Sequence, residues 1–120
     1  MYEVTVERTF AAAHALRDYH GGCETLHGHN FRVRVRVEGE SLDQTGLLID
    51  FLELKRVMDA VIDPYEHSNL NETAPFDELN PSAENIAKWF HDRIHDALSA
   101  PIAEVRVWET DTSSAAYRPK

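Results

Sequence analysis

The sequence predicts an α+β fold: a four-stranded antiparallel sheet with two helices on one face, in the order ββααββ. Three observations predict it. Residues 2–14 and 27–37 alternate apolar and polar side chains with a period of two. Residues 51–62 and 82–98 carry apolar stripes at helical spacing, and residues 104–109 and 112–117 return to short strand-like stretches. Two strands, two helices and two strands are most simply satisfied by one sheet whose apolar face the helices cover.

In the first strand Tyr2, Val4, Val6, Phe10 and Ala12 share one face and Glu3, Thr5 and Glu7 the other, while His14 keeps the parity of the apolar set. A loop with Gly21-Gly22 follows. In the second strand His27, His29, Phe31, Val33, Val35 and Val37 share parity, opposite Arg32, Arg34 and Arg36. Antiparallel pairing of the two sets the arginines near Glu3 and Glu7. If no bulge intervenes, it also brings all three histidines out at one end of the apolar face.

Asp50 reads as the N-cap of the first helix, with Glu53 three residues later. Its stripe is Phe51, Leu54, Val57, Met58, Val61 and Ile62, and Pro64 stops it. Residues 65–79 are polar and read as a loop. Asn80-Pro81-Ser82 opens the second helix, with Pro81 in its first turn. Ile86, Ala87, Phe90, Ile94, Ala97 and Leu98 form its buried stripe; His91 and His95 fall with Glu84, Lys88 and Asp92 on the face expected in solvent. Val105, Val107 and Glu109 share one face of the third strand, and a turn at Asp111 leads into the last.

At 120 residues the chain is expected to be a single domain spanning 1–120. Twelve basic against twenty-one acidic residues give a net charge of -9, which argues against a nucleic-acid binder. The sequence has neither a membrane-spanning apolar run nor a leader pattern, so the expected compartment is the cytoplasm. Cys23 is the only cysteine and is expected to be a free thiol, as suits a reducing environment. Unpaired edge strands and a charged outer face predict an oligomer in which several sheets join.

The residues that could carry chemistry concentrate near the ends of the first two strands. His27 and His29 flank Gly28 and point to one side; His14 supplies a third imidazole, a set suited to a zinc ion with its fourth position open. Cys23, four residues before His27, reads either as a thiolate base or nucleophile or as the fourth ligand of a closed structural site. Spacing leaves both open. Glu66-His67 is an acid beside a histidine, a weak sign of a proton relay. Glu109 turns a carboxylate toward the apolar side, where it needs donors. A planar ligand with an amino group beside a ring N–H would match both its oxygens.

Taken together, Phe10-Ala11-Ala12-Ala13-His14, Cys23-x-x-Leu26-His27-Gly28-His29, Glu66-His67, Asn80-Pro81-Ser82-Ala83-Glu84-Asn85 and Glu109-Thr110 resemble the 6-pyruvoyl-tetrahydropterin synthase superfamily, over essentially the whole chain. The likeness is greatest to its bacterial 6-carboxy-5,6,7,8-tetrahydropterin synthase branch. The resemblance implies the tunnelling fold (T-fold), subunits joined into barrels, and a homohexamer built as a dimer of trimers. It implies zinc on His14, His27 and His29, a pterin ring anchored by Glu109, and proton transfer by Cys23 with Glu66 and His67. The implied substrate is 7,8-dihydroneopterin triphosphate, converted to 6-carboxy-5,6,7,8-tetrahydropterin, acetaldehyde and triphosphate on the 7-deazaguanine route to queuosine. Release of triphosphate alone, giving a 6-pyruvoyl product, is the alternative, and a non-catalytic zinc-stabilised pterin binder is a second. Glu66 departs from the aspartate usual in the family. Arg8 and Arg17 are the candidates for the triphosphate.

Overall fold

The computed structural model describes all 120 residues. Two long strands, β1 (Tyr2–His14) and β2 (His27–Gly39), are followed by α1 (Phe51–Ile62), a two-residue strand β3 (Ser68–Asn69), α2 (Ala83–Ala97), β4 (Ile102–Thr110) and β5 (Ser113–Tyr117). The sheet has five strands in the order β3-β1-β2-β4-β5. The expected four strands are all present and antiparallel to their neighbours. The fifth, β3, lies parallel to β1 beside Ala12 and Ala13, so the sheet is mixed. It falls within residues 65–79, which form no plain loop but two short 3-10 turns around this strand. A two-residue strand has no periodicity to read.

The β1–β2 register runs unbroken from Tyr2 opposite Gly39 to His14 opposite His27. One face of this hairpin forms the core: Val6, Phe10, Phe31, Val33, Val35 and Val37 are buried against Leu54, Met58, Ile86, Phe90 and Ile94 of the two helices. Phe10 stacks on Phe31 at 5.0 Å and meets Phe90 edge-on at 5.7 Å. On the opposite face Arg36 lies 3.3 Å from Glu3 and Arg32 3.8 Å from Glu7, as cross-strand pairing predicts. Arg34 turns to Glu104 instead, at 3.0 Å. Burial pushes the Glu104 carboxyl up, but the hydrogen bond from Arg34 and the charges of Arg106, Arg36 and Arg34 outweigh it and hold it below the ordinary glutamate value.

Asp50 caps α1, its side chain accepting from Leu52 N–H. Glu53 does not complete a capping box; it pairs with Arg56. Phe51 lies outside the core and is exposed, unlike Leu54, Val57, Met58 and Ile62 of the same stripe. Ser82 is the N-cap of α2, accepting from Asn85 N–H, so Pro81 precedes the helix instead of sitting in its first turn. His91 also departs from expectation. It is 5 % exposed, packed edge-on against Tyr117 of β5 at 4.9 Å, with Nδ1 donating to Asp92 at 3.0 Å. The helix is walled on a second side by the end of β5, which a stripe on one helix does not reveal. No helix of the chain is long and apolar enough to cross a membrane.

Candidate metal centre and adjoining cavities

The alternation that fills the core with valine and phenylalanine delivers histidine at the far end of the same strands. His14 and His27 are directly opposite each other, and His29 faces Ala12 across the same ladder. Their ring centroids lie 4.7, 5.1 and 4.8 Å apart in near-perpendicular pairs, and one ring nitrogen from each falls within 4.8 Å of the others. Phe31 closes the cluster from the core side, 5.3 Å from His14 and 5.4 Å from His29.

Hydrogen bonds from the rings decide which nitrogen faces inward. His14 Nδ1 donates to Pro81 O at 2.7 Å and His27 Nδ1 donates to Thr25 O at 2.8 Å. Each bond fixes the tautomer and leaves the Nε2 lone pair free, the arrangement by which backbone carbonyls orient metal-binding imidazoles. Nε2 of His14 and Nε2 of His29 are buried with no hydrogen-bond partner in the protein. Buried polar atoms without partners are costly, and three converging neutral imidazoles are relieved by a cation. Burial first, then the neighbouring His14, lowers the pKa of His29, which favours the neutral, ligating form. The donor set fits a divalent metal ion that accepts nitrogen ligands.

Glu109 stands beside this cluster, its Oε1 3.7 Å from His14 Nε2. It is the extra residue of a β-bulge: Trp108 pairs with Ser114 and Thr110 with Ser113, so Glu109 has no partner across the β4–β5 ladder. The bulge re-aims the side chain into a cavity of about 270 Å³, lined also by Leu16, the first residues of α2 and Ser113–Ala115. A second cavity of about 440 Å³ opens over Ala11–Ala13, Gly28, His29, Asn30, His67 and Ser68. A side chain at Gly28 would meet only Ala12 O, at 3.6 Å, so the glycine is not demanded by the chain's own packing; it keeps this cavity's wall low.

Glu66 and His67 form a pair, His67 Nε2 lying 2.8 Å from Glu66 Oε1. The same oxygen accepts from Ala11 N–H at 3.2 Å, and Ala11 O accepts from His67 N–H at 2.7 Å. His67 has φ of 59°, in the left-handed region that costs a residue with a side chain about 1–2 kcal/mol. The bonds to Ala11 and the start of β3 hold it there. The longer acid therefore still reaches its histidine, whose ring lines the larger cavity.

Cys23 is exposed and is not among the groups that converge with the three histidines. It sits in the loop between β1 and β2, next to Glu24, whose Oε1 accepts from Leu16 N–H at 3.0 Å. Glu24 went unnoticed as a candidate residue, yet it ties the loop back two residues beyond His14 and its charge acts on His29. Neither proposed phosphate ligand is free: Arg8 Nε donates to Asp59 at 2.7 Å, and the Arg17 guanidinium donates to Asn71 O, Phe76 O and Leu79 O.

Fold and site together define a class: a two-helix, sheet-backed α+β unit bearing three histidines able to hold a metal ion beside a carboxylate. Residues 3–120 match the family described as 6-pyruvoyl tetrahydropterin synthase, and the chain belongs to that family of enzymes. It is 35 % identical to the 6-carboxy-5,6,7,8-tetrahydropterin synthase of Synechocystis over 98 % of this chain and 93 % of the relative. It is 41 % identical to the dihydroneopterin monophosphate aldolase of Pyrococcus furiosus over 84 % of this chain and 83 % of the relative. The 6-pyruvoyl tetrahydropterin synthase structure from Caenorhabditis elegans superposes with a TM-score of 0.84 at 27 % identity, covering all of this chain and 98 % of the other.

Proposed function

We propose that the protein is a zinc-dependent lyase that converts 7,8-dihydroneopterin triphosphate and one water to 6-carboxy-5,6,7,8-tetrahydropterin, acetaldehyde and triphosphate, the step that feeds 7-deazaguanine and queuosine synthesis. The observation that carries the reading is the trio of converging imidazoles, two of which, His14 and His29, have a buried Nε2 with no protein partner, beside two cavities. His14, His27 and His29 would hold the ion, which when bound supplies Lewis acidity toward the hydroxyls of the substrate's side chain.

The chain's own groups do the rest. Glu109, freed by its bulge, accepts from the amino group and ring N–H of the pterin and so fixes the ring beside the cluster. Cys23 Sγ removes and returns protons on the side chain of the substrate. His67 exchanges protons with it, while the Glu66 carboxylate stands 2.8 Å from His67 Nε2 and is itself held by Ala11 N–H. The positive φ at His67 supports a working role, since strained backbone persists where surrounding bonds over-determine it.

The active unit is a homohexamer, a dimer of trimers, in the cytoplasm. Supporting assembly, β1 has β3 as its outer neighbour only at Ala12 and Ala13, and β5 ends the sheet on the other side. Arg8 and Arg17 are engaged within the chain, so other cations of the assembled protein would bind the triphosphate.

The Pyrococcus relative favours a second reading, aldol cleavage of the side chain of a dihydroneopterin phosphate. Anaerobic incubation of the zinc-loaded protein with 7,8-dihydroneopterin triphosphate or monophosphate, followed by mass analysis, separates the readings. Acetaldehyde with 6-carboxytetrahydropterin is the expected result. A 6-pyruvoyl product, a two-carbon aldehyde phosphate from the monophosphate, or unchanged substrate with zinc still bound would each replace it.

A further inference from the structure

The segment that leaves β1 is gripped residue by residue. Ala15 N–H donates to Asn71 Oδ1 at 2.8 Å, and Asn71 Nδ2 donates back to Ala15 O at 2.8 Å. Arg17 is held the same way by Asn80, at 2.8 and 3.1 Å. Between them, Leu16 N–H donates to Glu24 Oε1 at 3.0 Å, and Leu16 O accepts from Glu24 N–H at 2.9 Å. Both backbone groups of three successive residues are thereby satisfied, alternately from one side and the other. That is the pattern of a strand between two neighbours, with two side-chain amides standing in for one of them.

The choice of side chain is chemical. A carboxamide carries a donor and an acceptor side by side, matching the N–H and C=O of a single residue; a carboxylate can only accept. These backbone groups are half-buried, so water could also satisfy them. What ordered amides add over water is placement.

Candidate chemistry lies at one end of the gripped segment and beside its middle. His14 precedes it, with Nδ1 on the carbonyl of Pro81, the residue after Asn80. Glu24, which holds the middle, is the neighbour of Cys23. Arg17 binds the strap from beyond, its guanidinium spanning carbonyls of residues 71, 76 and 79.

We propose that Asn71 and Asn80 are positioning residues that hold the Cys23–Glu24 loop in fixed relation to the His14 end of the metal centre. The proposal rests on the reading of Cys23 as the proton-moving group. It is tested on the full chain with Asn71→Ala, Asn80→Ala and Asn80→Asp, by hydrogen exchange, by alkylation of Cys23 with iodoacetamide, and by steady-state kinetics.

In both alanine variants residues 15–24 are expected to exchange at least about tenfold faster while β2 keeps its protection, a local opening and not a global one. The alkylation rate of Cys23 changes by about threefold or more, and kcat falls at least about tenfold with KM held within about threefold, as misplacement of a reacting group predicts. Asn80→Asp retains the acceptor for Arg17 N–H and falls between wild type and Asn80→Ala. Unchanged loop exchange, loss of protection throughout the chain, or local opening with kcat intact would each overturn the proposal. If the wild-type protein turns over none of the pterin substrates, the lyase reading fails by itself. Exchange and alkylation still decide the clamp, and an unchanged alkylation rate overturns it.

Discussion

The two ends of the β1–β2 hairpin obey one geometry and do different work. Toward the turn-distal ends, residues 4–10 and 31–37 point valine and phenylalanine at the helices and form the core. Toward the connecting loop, residues 12–14 and 27–29 keep the same register and the same face, but the side chains become alanine and histidine. One end buries apolar area; the other gathers nitrogen atoms that the fold leaves without partners. A site therefore needs no new architecture here. It needs a change of side chain along a ladder that the core already holds rigid, with Phe31 at the boundary touching both.

The largest effect is expected at the site end. His27→Ala should abolish stoichiometric metal binding and lower turnover about a thousandfold, equivalent to about 4 kcal/mol of barrier. Because His27 is only half-buried, the denaturant stability of the metal-free protein should move by no more than about 0.5 kcal/mol. Metal analysis, kinetics and urea melts on one preparation check all three. At the core end the pattern reverses. Phe31→Ala should cost about 3–5 kcal/mol in a urea melt, since it empties a fully buried ring position.

Acid should separate the two ends as well. His29 has a lowered pKa from burial and from His14, so in the metal-free protein its contribution to stability is intact above about pH 6.5. That contribution is lost as pH falls from there through the folded value, because the unfolded state takes up the proton first. Glu104, on the arginine face, is held below its ordinary pKa; its contribution is intact above about pH 4.5 and lost as pH falls through the lower folded value. Stability against pH should thus fall in two stages, the upper shrinking in His29→Gln and the lower in Glu104→Gln. The latter should also cost about 1–2 kcal/mol at neutral pH through weakened charged hydrogen bonds. The smallest effect is expected far from both regions: Asp50→Ala should remove about 1 kcal/mol by uncapping α1 and leave turnover unchanged.

What could be read beforehand follows the same division. Period-two alternation foretold both long strands, their antiparallel pairing and the meeting of the three histidines, because each depends on local parity and one antiparallel ladder. The parity of Glu109 with Val107 was legible too, though the bulge that frees it was not. Other features arise from contacts distant in sequence. The strand β3 exists because His67 N–H finds Ala11 O, and His91 is buried because β5 ends against α2. The hold of Asn71 and Asn80 on residues 15 and 17 spans more than fifty positions. Arg8 and Arg17 looked available only until Asp59 and three carbonyls were placed beside them.

On the proposed reading three histidines form an open metal centre and the Cys23 thiol works without joining it. The most direct measurement is the zinc content and turnover of Cys23→Ala. Close to one zinc per chain with turnover abolished is expected. Loss of zinc together with turnover would contradict it, making Cys23 the fourth ligand of a closed structural site.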